Sequence, residues 1–227
     1  MADGLEAAEV ILGHHFTRPA LLREALTHRS ALSGRHRRAS NERLEFVGDR
    51  VLGLVMAEWL AERFPDEQEG ALGRRLAYLV SQPVLAEIAT TLALPAALAI
   101  APGEARAGVR KRASVLADAM EAAIGALYLD AGLAAARAFV RRAFEAAMTA
   151  QAEPPKDAKT ALQEWAQGHG LALPLYEVTM REGPPHAPVF AIRVSVGGRS
   201  GVGRAGTKQA AEQAAATDLL RQIGATP

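Results

Sequence analysis

Apolar side chains at Leu44, Val47, Val51, Leu54 and Val55 return at the period of a helix, while Glu42, Glu45 and Asp49 stand at i, i+3 and i+7 on roughly the opposite side. Ser40 or Asn41 offers a cap and Pro65 a stop, so the pattern predicts one long helix ending near Phe64. A second such pattern spans residues 115–129. Leu116, Met120, Ile124 and Leu127 form its apolar side, Asp118 and Glu121 stand at i and i+3, and Asp130-Ala-Gly132 ends it. Shorter helices are predicted from Pro19 with Thr17 as cap, over residues 72–80, from Ser81 with Pro83, from Leu94-Pro95, and over 134–150. Residues 102–108 read as a turn-rich loop. No alternating period long enough for a strand occurs before residue 150, so residues 1–150 are predicted to be an all-α domain.

The pattern then changes. Gln151-Ala-Glu-Pro-Pro155 reads as a short linker, and residues 156–227 as a small α+β domain. One helix over 157–168 is followed by alternation at Tyr176, Val178 and Met180 and again at Phe190, Ile192, Val194 and Val196. Gly197-Gly198 predicts a hairpin turn, residues 199–204 a Gly-rich strand, and the Ala-rich stretch from Thr207 to about Ile223 a final helix. The predicted order is α-β-β-β-α.

With 227 residues there is room for two cores, and the absence of cysteine excludes disulfides, zinc-thiolate sites and thiol catalysis. No apolar run is expected to reach the length of a membrane span, and residues 1–13 lack the basic-then-apolar layout of a signal peptide, so a cytoplasmic protein without a membrane partner is expected. Net charge is only +1, which argues for no partner by itself. Basic knots at Arg35-His36-Arg37-Arg38 and Arg110-Lys111-Arg112 do precede the two acidic helices, and a third lies at Arg141-Arg142.

A single acidic stripe is most simply a solvated helix face. Two short-spaced acid pairs on helices that each have an apolar side suggest one shared site. Carboxylates crowded together repel and take up protons unless a cation neutralises them, and a hard, oxygen-seeking ion such as Mg²⁺ suits them. Ala122 and Gly125 leave room beside the second pair for a metal, a neighbouring helix or a substrate backbone. Phe46 falls beside the acids and away from the main apolar arc, where an aromatic ring suggests an interface. His14, His15 and His28 are better explained by packing than by ligation.

The nine residues Asn41-Glu-Arg-Leu-Glu-Phe-Val-Gly-Asp49 closely resemble the signature of the ribonuclease III family of double-stranded RNA endonucleases. Leu26-Thr-His-Arg-Ser30 upstream and the run from Arg112 through Asp118-Ala-Met-Glu121 to Gly125 downstream occur in the family's order. Lys156-Asp-Ala-Lys-Thr-Ala-Leu-Gln-Glu-Trp165 and Ala211-Glu-Gln-Ala-Ala215 resemble the double-stranded RNA-binding domain that follows in bacterial members. The resemblance implies that Glu45, Asp49, Asp118 and Glu121 hold catalytic Mg²⁺, with Mn²⁺ able to replace it, and that Asp49 and Glu121 are catalytic. Glu42 and Glu69 match further acids with accessory roles. Phe46 matches the phenylalanine that inserts into a partner subunit, which implies a homodimer with two active sites, one for each strand of a duplex.

In the small domain, Thr160, Gln163, Glu164 and Gln167 share one helix face suited to the shallow minor groove of A-form RNA. His186 matches a second minor-groove probe, and Lys208 a phosphate contact at the start of the last helix. The implied activity is Mg²⁺-dependent hydrolysis of double-stranded RNA to 5′-phosphate and 3′-hydroxyl ends, in the processing of ribosomal and messenger RNA precursors. The chain departs from many relatives in reading Lys208-Gln209 where they carry consecutive lysines, which predicts weaker, more salt-sensitive holding. It also reads Leu72-Gly-Arg-Arg-Leu76 where they have Leu-Ser-Arg-Leu-Arg, which leaves the role of either arginine open. Two other readings compete: a protein that holds duplex RNA without cutting it, and an all-α nucleotide pyrophosphohydrolase. Intact ligand positions disfavour the first and the α-β-β-β-α appendage the second. A di-iron bundle is disfavoured because neither acidic helix carries Glu-x-x-His.

Overall fold

The computed structural model describes residues 2–32, 39–150, 158–183 and 188–225. The chain divides into two compact units, Met1–Pro154 and Pro155–Pro227. The expected linker at 151–155 lies outside the described residues.

The first unit is helical, as the periodicity predicts, with α1 (Ala2–Leu12), α2 (Pro19–Ala25), α3 (Glu42–Arg63), α4 (Glu69–Leu79), α5 (Gln82–Thr91), α6 (Pro102–Arg106) and α7 (Ala113–Thr149). At its centre α3 packs along α7. The buried face of α3 is Leu44, Val51, Leu52, Val55, Met56, Trp59 and Leu60. Leu54, assigned to the apolar side from the sequence, stands outside with 57% exposure. On α7 the expected face, Leu116, Met120, Ile124 and Leu127, is buried. The two helices touch through glycines. A Cβ at Gly48 would collide with the Glu121 carbonyl, one at Gly125 with the Leu44 carbonyl, and each would lie 3.0 Å from the other glycine's nitrogen. Only hydrogen side chains allow the backbones this close, so the room beside the second acid pair is filled by the first acidic helix.

Helix α7 is broken at Gly132 (φ 80°, ψ 179°), where the sequence predicts a stop, but the chain resumes helix directly and runs on. By length and composition α7 is apolar enough to cross a membrane, contrary to expectation. Its apolar side is buried within the helical unit, with Met120, Ala122, Ala123, Ile124, Ala126 and Leu127 fully enclosed. Beyond the break, Arg137 makes two bonds to Glu58 (2.7 and 3.0 Å) and Arg141 one to Glu62 (2.6 Å), fastening α7 to the far half of α3.

Several caps differ from expectation. Asn41, Ser81 and Arg18 precede α3, α5 and α2 without side-chain cap bonds. Thr17 instead donates its hydroxyl to Asp130 (2.9 Å), a carboxylate out of contact with solvent that also accepts from the backbone N–H groups of Thr17 and Arg18. Desolvation pushes the Asp130 carboxyl upward, but these bonds and one from His14 outweigh it and hold the group well below the usual carboxylate range. Residues 102–106, expected as loop, form the single helical turn α6.

The second unit has the predicted α-β-β-β-α order: α8 (Ala158–Gly168), β1 (Leu175–Glu182), β2 (Val189–Val196), β3 (Arg199–Ala205) and α9 (Lys208–Gln222). The sheet is antiparallel in the order β1-β2-β3, with a bulge between Val178 and Met180. Gly197 and Gly198 both have positive φ (56° and 75°), the geometry a two-residue hairpin needs. Ile192, Val194 and Val196 meet Leu162, Ala166, Ala215 and Leu219 in a core of its own. Thr207 caps α9 by accepting from the Ala210 N–H.

Candidate functional site

The glycine crossing decides where the acids go. Glu45 lies one residue beyond Leu44, and Glu121 supplies the carbonyl against Gly48, so the acidic rims of α3 and α7 adjoin. Beside them is a pocket of about 810 Å³ whose wall includes Glu42, Glu45 and Asp118. His28, Arg29, Asn41, Glu104 and Arg112 also line it. Glu42 is exposed in the first turn of α3 and accepts from the Ser40 hydroxyl (3.1 Å). Arg29 reaches it only at 3.9 Å.

The carboxyls perturb one another. Burial, then the charges of Asp118 and Glu42, pushes Glu45 above the usual range. Burial raises Asp118 as well, against the pull of His28 and Arg29. Glu121 is pushed furthest, to about 7, by burial and then by Glu45 and Asp118, with Arg50 opposing. Each shift is led by burial, and for Glu45 and Glu121 the neighbouring carboxylates add to it. The donors are all hard oxygens, which fits a divalent ion of the Mg²⁺ type and not a thiophilic one. Among the described residues, no three acidic or imidazole groups are drawn into ligating range of one point.

The sequence-predicted residues are placed as follows. Glu42, Glu45 and Asp118 share the pocket wall, and Glu121 is coupled electrostatically to the last two. Asp49, half-exposed one turn beyond Glu45, pairs with its neighbour Arg50 and does not line the pocket. Glu69 is exposed in the first turn of α4 and also lies off the pocket wall. Phe46 is 66% exposed, with the Arg50 guanidinium 5.3 Å from its ring centre. On α8, Thr160, Gln163, Glu164 and Gln167 are all exposed, opposite buried Ala158, Ala161, Leu162 and Ala166. Lys208 opens α9, exposed and 3.9 Å from Glu212, which Lys159 holds more closely at 2.6 Å. His186 and the knot at 35–38 lie outside the described residues.

Of the remaining basic groups, Arg110 donates to the Pro95 carbonyl (2.6 Å) and Arg142 to that of Ile11 (2.9 Å), both as structural ties. Arg75 is 1% exposed, bonded twice to Glu67 and stacked 3.7 Å over Phe64, so this arginine is part of the framework. His14 bonds Asp130 and His15 bonds Glu9, in keeping with packing roles. His28 is different, because it stands on the pocket wall.

Residues 18–147 match the family described as Ribonuclease-III-like. The chain belongs to the ribonuclease III family. Residues 158–223 match the double-stranded RNA binding motif. Ribonuclease 3 of Jannaschia sp. (strain CCS1) is 48% identical over 213 residues, 93% of either chain. Ribonuclease 3 of Cereibacter sphaeroides (strain ATCC 17029) is 46% identical over 226 residues, 99% of this chain and 98% of the relative. The nuclease domain of ribonuclease III from Campylobacter jejuni, whose structure was described for flexibility in a region involved in dimer formation, superimposes with a TM-score of 0.59. It is 38% identical and covers 63% of this chain and 96% of its own. This ribonuclease III fold therefore spans the helical unit, and the RNA-binding motif the second.

Proposed function

We propose that the chain is a ribonuclease III-type endonuclease that hydrolyses phosphodiester bonds of double-stranded RNA with Mg²⁺, leaving 5′-phosphate and 3′-hydroxyl ends. The observation that carries this reading is the crossing at Gly48 and Gly125, which brings carboxylates from two helices together where burial, and then Glu45 and Asp118, raise Glu121 to about 7. Glu45, Asp49, Asp118 and Glu121 would hold the ion. When bound, Mg²⁺ supplies a water made nucleophilic near neutral pH and charge stabilisation of the leaving oxygen. The chain's own part is to keep these oxygens rigid on packed helices and to present the duplex to them.

Glu42 would support Glu45 from the pocket rim, and Glu69 would act as an accessory acid. Thr160, Gln163, Glu164 and Gln167 would enter the minor groove, and Lys208 would meet phosphate, its charge partly engaged by Glu212. The exposed ring of Phe46 would be buried by a second copy of the chain, giving a homodimer that cuts both strands. The cellular role would be processing of ribosomal and messenger RNA precursors in the cytoplasm.

The test is incubation of the full chain with a long RNA duplex in Mg²⁺, in Mn²⁺ and in EDTA, with single-stranded RNA and nucleoside triphosphates in parallel. Metal-dependent cutting of the duplex alone is expected. Binding without cutting, or triphosphate hydrolysis without cutting, would reject the reading.

A further inference from the structure

The lining of the acidic pocket includes an imidazole whose proton the surrounding bonds assign. His28 precedes a short 3-10 turn, Arg29–Ala31, and its Nδ1 accepts the backbone N–H of Ser30 (3.2 Å). A backbone N–H can only donate, so Nδ1 carries the lone pair and the proton sits on Nε2. Two further bonds agree. The Ser30 hydroxyl accepts from the Ala101 N–H (3.3 Å), which leaves its own hydrogen for Nδ1 at 2.8 Å. The turn itself is anchored, with His28 N–H donating to the Ala99 carbonyl and Asn41 N–H to that of Thr27, both at 3.0 Å.

The outer edge of the ring is therefore a fixed N–H donor. Nε2 has no hydrogen-bond partner among the described residues, and the ring lines the pocket with Arg29, Glu45 and Asp118. Burial, assisted by the Arg29 charge, lowers the His28 pKa against the opposing pull of Glu104, Asp118 and Glu42. A phosphodiester offers acceptors only. It fits the Nε2–H and guanidinium donors that line the pocket together with the carboxylates.

We propose that His28 is a substrate-contacting residue of this site, donating Nε2–H to a non-bridging phosphate oxygen of the RNA strand, with the Arg29 guanidinium beside it. The proposal rests on the reading of the chain as a duplex RNA nuclease. It assigns the imidazole a role beyond packing.

Two substitutions separate the donor from the cap. His28→Asn keeps an acceptor where Nδ1 stands but loses the outer donor, whereas His28→Gln places an amide N–H near the Nε2 position and loses the inner acceptor. With a duplex in Mg²⁺, His28→Asn is expected to lower kcat/KM about 10- to 100-fold with an unchanged melting temperature. His28→Gln is expected to stay within about fivefold of wild type even where it melts lower. The opposite order, with Asn active and Gln impaired in proportion to its stability, would show a cap only and overturn the proposal. Should either variant fail to fold, imidazole ¹⁵N resonances of the wild type decide. A protonated Nε2 that shifts on adding duplex in EDTA supports the contact, and a protonated Nδ1 or an unresponsive Nε2 refutes it. A wild type that does not cut duplex RNA would reject the underlying reading instead.

Discussion

Glu121 concentrates the chemistry of individual side chains in this protein. Its partial burial beside Glu45 and Asp118 raises it to about 7, so at neutral pH it is poised between protonated and charged. Its folded pKa lies above the unfolded value near 4.3, so keeping it ionised costs stability. That cost grows as pH rises from about 4 to 7 and is constant beyond. In EDTA, Glu121→Gln should therefore melt higher than wild type at pH 8 and by a clearly smaller margin at pH 5, followed by thermal denaturation; equal melting at pH 8 would mean the carboxylate is not under strain. On the proposed function the same carboxylate would help hold Mg²⁺, and a site worth several kcal/mol of charge stabilisation implies that Glu121→Ala slows cleavage by ~10³-fold. Duplex binding measured by gel shift should change little. Cutting at the wild-type rate would remove Glu121 from the metal set. The acids were legible in the sequence because i, i+3 spacing on an amphipathic helix is a local property. The place of His28 was not, because it depends on Ser30, on Ala101 and on carboxylates far away in the chain.

Between helices, the decisive feature is that α3 and α7 touch backbone to backbone. A methyl at Gly48 would meet a carbonyl and not a flexible side-chain end, so nothing nearby can yield cheaply. Gly48→Ala is expected to cost about 3 kcal/mol or more and to depress cleavage by spreading the two acidic rims. Unchanged melting and activity would contradict the crossing described. The break at Gly132 and the end of α3 before Pro65 followed from breaker residues, whereas the expected caps at Asn41 and Ser81 make no side-chain bond. Which way α3 faces did not follow, since Leu54 and Leu52 fit an apolar arc comparably well and only tertiary packing selects Leu52 for the core.

The molecule as a whole is two separately cored units, Met1–Pro154 and Pro155–Pro227. Cutting and holding are expected to separate in the same way. Removal of residues 152–227 should weaken duplex binding and, by removing phosphate contacts, make it less steeply dependent on salt, while leaving residual cleavage at low ionic strength, measured by initial rates across a salt series. Complete inactivity of a folded, dimeric truncation would refute that division. Within the helical unit, Asp130 joins α7 to the start of α2, and Arg75 joins α4 to Glu67 and Phe64; both tie distant or differently oriented segments by buried charge. Neither role shows in a sequence pattern.

The amino-acid order alone sufficed for the all-α and α-β-β-β-α division, for the hairpin at Gly197-Gly198 and for the acid pairs, because periodicity, turn chemistry and spacing act over a few residues. Long-range packing was needed to show that Gly48 and Gly125 are contact points, that Leu54 is outside, that Arg75 is framework and that His28 lines one pocket with the acids. These are properties of pairs of surfaces brought together by folding, and one-dimensional patterns record each surface without recording its partner.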